Sequence, residues 1–483
     1  MKEIIITSIT YLAENLILIY GLILAGFSIF LSVVGLTEIR KYLKNNRLDD
    51  SQALLSSPFT PRISLIVPMY NEGQTIIDSV RSLLSLQYNN YEVIVVNDGS
   101  TDESLRKLIE YFQLIPTYLE SNYELPTKKV RCLYKSRQKV FSKLTVVDKA
   151  NGGKADALNA GLNHAEGKLV ATMDADSIIA PNALLRMVKP FLQNPERVIA
   201  TGSMVRIANS CTIEDGSLVK IQLPKGWLAR FQALEYIRVF LLSRLGWSRL
   251  NGLLIISGAF GLFDREIVVK AGGYYTKTVG EDMELTVRMR RYMHEQKLPY
   301  KVIYIPDPLC WTEAPNSLSQ LSRQRNRWAR GTAETLIKHR GLLFNPKYKL
   351  MGWLSYPYWL CFEFLAPFVE VIGLAYFTTL AVLGHIDWTN FLFFLVIIYF
   401  FSVLLSLVAL IAEEYSYHKY QHTSDMAKLI LTALMEPIFY HPIILVNALK
   451  GNLDLLVGKK SWGDMQRRGF TKHQAESSKK VAG

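Results

Sequence analysis

Apolar positions along this chain fall into two patterns. The ends carry long uncharged runs, while the middle carries short ones broken by polar turns. Leu16–Leu36 (LILIYGLILAGFSIFLSVVGL) contains no charge and, as a helix, is long enough to cross a hydrocarbon core of about 30 Å. It exceeds the roughly 7–15 apolar residues of a cleaved signal peptide, and no small-x-small cleavage site follows, so it predicts a membrane anchor. Arg40, Lys41, Lys44 and Arg47 come next, whereas Lys2 and Glu3 cancel before it. That asymmetry places the C-terminal side of the helix in the cytoplasm.

From Pro61 the pattern becomes that of an α/β domain. ISLIV (63–67) and YEVIVV (91–96) read as short buried strands. Between them GQTIIDSVRSLLSL reads as a helix with Ile76, Ile77, Val80, Leu83 and Leu84 on one face. Strand, helix, strand within this distance is a βαβ unit, so the two strands are parallel. KLVATM (168–173) adds another strand, and residues 114–147 fit no template and read as a surface insertion. After Met351 the chain turns apolar again. Spans are predicted at about 364–383 and 391–411. The stretch 427–450, interrupted by Glu436, Pro437, His441 and Pro442, is expected to lie in the membrane interface or to re-enter. Eight Lys/Arg against three Asp/Glu between Lys450 and Lys480 make the tail cytoplasmic. The expected organisation is an anchor and linker over 1–60, a cytoplasmic catalytic domain over 61–345, membrane and interfacial helices over 346–450, and a basic tail over 451–483. Three true spans and two interfacial pieces satisfy this topology, that of a multi-pass protein of the inner or plasma membrane.

Charge and cysteine content narrow the function. The net charge of +13 comes from 55 Lys+Arg against 42 Asp+Glu. No nucleic-acid-binding motif accompanies it, so the excess points to an anionic membrane surface or a phosphorylated substrate. Cys132, Cys211, Cys310 and Cys361 form no CxxC pair and no disulfide framework, which fits a reducing compartment.

Ligands of an open parallel sheet sit beyond the carboxyl ends of its strands. Three acidic signals lie there: Tyr70-Asn71-Glu72, Asn97-Asp98-Gly99-Ser100 and Met173-Asp174-Ala175-Asp176. One acid after a strand is ordinarily a turn former or a helix cap. Three at one edge of one sheet point to a site. Asp174 and Asp176, two residues apart, can face one hard cation, Mg²⁺ or Mn²⁺, of the kind that neutralises a diphosphate. Asn151-Gly152-Gly153-Lys154 allows close backbone approach and offers Lys154 to a nucleotide. Ala155 stands where a nucleoside-triphosphatase loop needs Ser or Thr, which excludes that class. Glu281-Asp282 opens a helical run, where acids favour the positive end of the dipole, and one of them can also act as a general base. Ser257-Gly258 upstream is small enough to let a bulky ligand pass. Gln324, Arg327 and Trp328 stand at i, i+3 and i+4, one helix face that combines groups suited to a diphosphate and a sugar.

Taken in order, VPMYNE, VVNDGS, GGKADALNAG, MDADS, GED and QRNRW resemble the membrane-bound inverting family 2 glycosyltransferases, the group of the cellulose, chitin, hyaluronan and poly-N-acetylglucosamine synthases. The resemblance covers about residues 61–335. It implies a GT-A fold, a Rossmann-like and mostly parallel α/β sheet, set between membrane helices and open to the cytoplasm, with a UDP-linked sugar donor. By matching position it implies that Tyr70, Glu72, Asp98, Lys154 and Asp174 hold the nucleotide sugar. Asp174 and Asp176 would hold Mg²⁺ or Mn²⁺, and Asp282 would be the base. Gln324, Arg327, Trp328, Ser257, Gly258 and Glu281 would line the diphosphate and acceptor side. Asn97 and Gly280 depart from the family pattern, which usually has an acid and a Thr there. The implied activity is inverting transfer from the nucleotide sugar to a growing β-linked polysaccharide at the membrane, with room for an accessory export subunit and no nucleic-acid partner. Transfer of one sugar to a lipid-linked acceptor is the second reading, and an inactive sugar-binding scaffold the third.

Overall fold

The computed structural model describes residues 2–46, 60–118, 123–214, 216–420 and 422–458, with side chains from Glu14 onward. The linker 47–59, with Arg47, and the basic tail beyond 458, with Arg467 and Arg468, lie outside the described residues.

A ten-stranded sheet forms the middle of the chain. Its strands are β1 (Ile63–Met69), β2 (Tyr91–Asp98), β3 (Leu114–Thr117), β4 (Val130–Ser136), β5 (Leu144–Lys149), β6 (Leu169–Met173), β7 (Ile178–Ile179), β8 (Val198–Ile207), β11 (Phe260–Asp264) and β12 (Lys301–Thr312). A separate two-stranded hairpin supplies β9 (Thr212–Glu214) and β10 (Ser217–Lys220). The order across the sheet is β3-β4-β5-β2-β1-β6-β11-β8-β12-β7. The pairings make β4, β7 and β11 run against the other seven strands, so the sheet is mixed and mostly parallel, as the resemblance implies. All eight residues of β2 are buried, the signature of a central strand covered on both faces.

The βαβ expectation holds. β1 pairs in parallel with β2, and the helix between them spans Ile76–Leu84. It starts at Ile76, the first residue of the apolar face and three residues into the segment read as helix, because the Glu72 carbonyl accepts from both Thr75 and Ile76 N–H and closes a turn first. The stretch 114–147, expected as a surface insertion, instead supplies β3, β4 and the start of β5 to the sheet. β4 and β5 pair antiparallel, and β5 pairs in parallel with β2 along Val93–Asp98. In β4 the basic Arg131 and Lys135 share one side of the strand with buried Leu133, so no clean apolar alternation marks it. That charge hid the strand period.

The first helix (Lys2–Asn46) continues ten residues past its apolar run. Its last turns dock on the α/β domain: Ile39 is buried, Tyr42 donates to Asp307 on β12 at 2.6 Å, and Glu38 lies 3.6 Å from Arg249. Among the described residues, three helices are long and apolar enough to cross a membrane: Glu14–Asn46, Trp388–Ser416 and Thr423–Leu456. Met351–Phe364 and Ala366–Val382 form a pair bent by 43° and qualify only together. This set differs from the expected one. Pro437 and Pro442 do not end the 427–450 stretch, because a π-turn over Glu436–Tyr440 absorbs Pro437 and the next helix starts with Pro442 in its first turn. Both halves of this helix nevertheless lie against the α/β domain, Thr423–Met435 on Trp227–Arg238 and His441–Leu456 on Leu318–Lys338. Buried ion pairs hold the layers together, Arg206 of β8 with Glu413 and Arg238 with Glu436.

Candidate active site

The parallel register of β1, β2 and β6 brings Tyr70-Asn71-Glu72, Asp98 and Asp174 to one edge of the sheet. Beyond that edge the loop Asn151–Gly153 leads into the helix Lys154–His164. Gly153 takes φ +88°, a conformation that a side chain would strain. Asp98 secures this loop from below. Its carboxylate accepts from the N–H of Gly152 at 2.9 Å and Gly153 at 2.7 Å, and from buried Lys149 at 2.5 Å. Lys149 also reaches Asp156 at 2.6 Å.

Lys154 bridges two carboxylates, Asp174 at 2.6 Å and Glu281 at 3.0 Å. Burial alone would lower its pKa, but the two acids hold it above the usual lysine range. Asp282, next to Glu281 at the start of the helix Glu281–Glu295, accepts from Gly258 N–H at 3.0 Å and from Met283 N–H at 2.8 Å. Burial and the charge of Glu281 raise its pKa, the direction that improves a base. Glu281 goes the other way: burial would raise it, yet Lys154 and Arg327 hold it low. Two adjacent carboxylates are thus driven apart in proton affinity. A Cβ on Gly258 would come within 3.1 Å of Lys154 Nζ and 3.3 Å of Asp282 Oδ2, so only glycine leaves this approach open.

QRNRW stands on the helix Leu318–Lys338. Gly280 and Gly331 bring it against the start of Glu281–Glu295, because a Cβ on Gly280 would sit 2.7 Å from Gly331 Cα. The departure at Gly280 is therefore a packing requirement. Glu334 reinforces the contact by accepting from Thr278 at 2.7 Å and Val279 N–H at 2.9 Å.

A cavity of about 500 Å³ gathers Lys154, Asp174, Ser257, Gly258, Glu281, Asp282, Gln324, Arg327 and Trp328. Four predicted site residues are not in its wall. Tyr70 is about half exposed at the end of β1. Glu72 is buried and accepts from Thr75 at 3.3 Å. Asp98 is engaged beneath the glycine loop. Asp176 is partly buried, in a setting that raises its carboxyl to a pKa of about 7, first by desolvation and then by the charge of Asp174. Such a pair suits a cation. Among the described residues no group of three or more His, Cys, Asp or Glu could cage a metal by itself, so any ion here must complete its shell with substrate oxygens or water.

The sequence reading missed part of the cavity. Tyr236, Phe240, Arg244 and Trp247 form one wall, and Trp359, Phe362 and Glu363 continue it between the membrane-side helices, as far as Glu370 and His441. The spacing of Tyr236, Phe240, Arg244 and Trp247 along one helical face was the available signal.

Two family models match the chain. "Glycosyl transferase family 2" covers residues 64–268 and "Glycosyl transferase family group 2" covers 169–412. A poly-β-1,6-N-acetyl-D-glucosamine synthase of Staphylococcus epidermidis is 29% identical over 341 residues, 70% of each chain. The synthase of the same name from Staphylococcus aureus is 29% identical over 276 residues, 57% of this chain and 56% of the relative. Among solved structures, a mannosyltransferase from Pyrobaculum calidifontis in complex with GDP-Man and Mn²⁺ is 18% identical, with a TM-score of 0.47, covering 90% of this chain and 99% of that one.

Proposed function

Because the chain belongs to glycosyl transferase family group 2, we propose that it polymerises N-acetylglucosamine from UDP-N-acetylglucosamine into a β-linked polysaccharide at the cytoplasmic face of a membrane. The sugar follows from the synthases it resembles. One observation supports the mechanism most: Lys154, Asp282, Arg327 and Trp328 converge on one cavity that continues between the membrane-side helices.

In this reading Lys154 and Arg327 face the diphosphate, with Tyr70 on the nucleotide side. Asp174 and Asp176 would hold Mg²⁺ or Mn²⁺, which supplies charge neutralisation to the leaving diphosphate. Asp282 takes the proton of the acceptor hydroxyl. The freed oxygen attacks the anomeric carbon, the bond from that carbon to the diphosphate oxygen breaks, and UDP leaves from the opposite face. An α-linked donor thus gives a β-glycoside. Gly258 and Met283 N–H fix the carboxylate of Asp282 so that it need not reorganise as the proton moves. Trp328 and the wall of Tyr236, Phe240 and Trp247 offer apolar faces to pyranose rings. The N-terminal helix, the bent pair ending in Ala366–Val382 and Trp388–Ser416 span the bilayer, so the two crossings after the catalytic domain return the chain to the cytoplasm and Thr423–Leu456 lies along that surface against the catalytic domain. The division of the chain at about 60, 345 and 450 follows from this arrangement, and an accessory export subunit has membrane-side helices to meet.

The test is the full chain in lipid nanodiscs with Mg²⁺, given radiolabelled UDP-N-acetylglucosamine, UDP-glucose or GDP-mannose, beside an Asp282→Asn control. The expected product is a high-mass, Asp282-dependent polymer from UDP-N-acetylglucosamine alone. A single labelled glycolipid, or polymer from another donor, would overturn the reading.

A further inference from the structure

The cavity wall that carries Trp328 is tied to the membrane-side layer through one buried network. Arg325, inside QRNRW, lies with its guanidinium 4.4 Å from the centre of the Trp328 ring. Glu235 grips the same guanidinium with both oxygens, at 2.6 and 2.7 Å. The hydroxyl of Tyr440 closes the set, donating to Glu235 at 2.8 Å and accepting from Arg325 at 3.0 Å. Glu235 and Arg325 line the cavity, whereas Tyr440 does not and is 2% exposed behind them, its ring stacked on Phe231 at 5.2 Å.

Tyr440 ends the π-turn Glu436–Tyr440. The first residue of that turn, Glu436, binds Arg238 at 2.6 and 2.7 Å, one helical turn along from Glu235. One turn of backbone thus supplies two anchors to one helix, and π-turns often mark functional sites. The two anchors differ in reach. Glu436 ends at a docking pair, and Tyr440 ends on the guanidinium that backs the Trp328 indole.

We infer that Tyr440 is a positioning residue for acceptor binding, acting through Glu235 and Arg325 to hold Trp328 against the sugar acceptor. The inference rests on the polymerase reading of the cavity. A bidentate pair fixes the plane of a guanidinium, and the Tyr440 hydroxyl bonds both members of the pair. Losing it frees Arg325 to tilt and Trp328 to follow. The donor groups, Lys154 and Asp174, have no part in this network.

Tyr440→Phe removes the hydroxyl and keeps the ring on Phe231. Glu436→Gln is the comparison, because it weakens the neighbouring anchor without touching Arg325, and Arg325→Lys keeps the charge without the fork. Initial rates are measured in nanodiscs with UDP-N-acetylglucosamine and a short β-1,6-linked N-acetylglucosamine oligosaccharide, alongside donor hydrolysis without acceptor. The expected result is an acceptor KM about fivefold higher in Tyr440→Phe, the scale of one hydrogen bond, and higher again in Arg325→Lys. Donor KM and donor hydrolysis stay unchanged in both. If Tyr440→Phe instead follows Glu436→Gln, with all rates lowered together and both KM values unchanged, the role is only structural and the inference is overturned. If the wild-type protein transfers nothing to the oligosaccharide, the polymerase reading falls, and this inference with it.

Discussion

Acidic residues do different work on the two sides of the cavity. On the strand-end side Asp98 bonds two backbone N–H groups and Lys149, and Asp102 accepts from Gly73 N–H at 3.0 Å and Ser104 N–H at 3.0 Å. Asn71 there, at φ +56°, accepts from Thr101 N–H at 2.8 Å. These groups tie loop to loop. On the helix side Glu281 and Asp282 face the cavity, with proton affinities pushed in opposite directions. An acid at a strand end can therefore be built into the loops beneath a cavity without entering it, while an acid at a helix start, where a cap is the ordinary expectation, can face that cavity.

The sharpest way to break this contrast is Asp282→Asn, which should lower transfer by about 10²–10⁴-fold, the usual weight of a general base. Its thermal unfolding midpoint should stay near wild type. Asp98→Asn should do the reverse in kind. Removing a charge that Lys149 and two N–H groups share should cost about 2–3 kcal/mol of stability, read as a lower unfolding midpoint, with donor KM rising because the glycine loop loosens. Gly280→Ala tests the junction between the two sides. Its Cβ meets backbone at Gly331, so the helices must part, and a destabilisation of roughly 1–3 kcal/mol with a fall in kcat is expected. Tyr70→Ala is the mildest change. Half exposed, the ring contributes little to folding, so stability should move by less than about 0.5 kcal/mol while donor KM rises a few-fold. The pH profile sharpens the contrast further. Asp282 must be ionised to accept a proton and its pKa is raised, so transfer should fall with decreasing pH on an acid limb above the ordinary carboxylate value of about 4.

Much of this was legible in the sequence because local rules and tertiary structure agree there. The run YEVIVV is a central strand, and its parallel pairing followed from the helix before it. QRNRW lies on one helix, so its spacing placed Gln324, Arg327 and Trp328 together on the cavity wall. The failures have physical causes. Residues 130–136 read as an insertion because basic side chains interrupt the apolar pattern of a strand that is nevertheless paired on both sides, with β3 and β5. Glu436 and Pro437 read as interruptions of the 427–450 stretch, since sequence alone does not reveal that a π-turn absorbs the proline and that Arg238 neutralises the acid. For Asp98 the position was right, but its carboxylate faces Gly152 and Gly153 N–H rather than the cavity. That distinction depends on β5, which carries Lys149 and begins inside the stretch that read as an insertion.

The most direct test is a cryo-electron microscopy structure of the full chain in nanodiscs with UDP-N-acetylglucosamine and Mg²⁺, using Asp282→Asn to hold the donor intact. The diphosphate should lie within hydrogen-bond reach of Lys154 and Arg327, with the sugar toward residue 282 and Asp98 still bonded to the N–H groups of Gly152 and Gly153. A donor bound away from Lys154, or bound directly by Asp98 with the glycine loop released, would contradict the account.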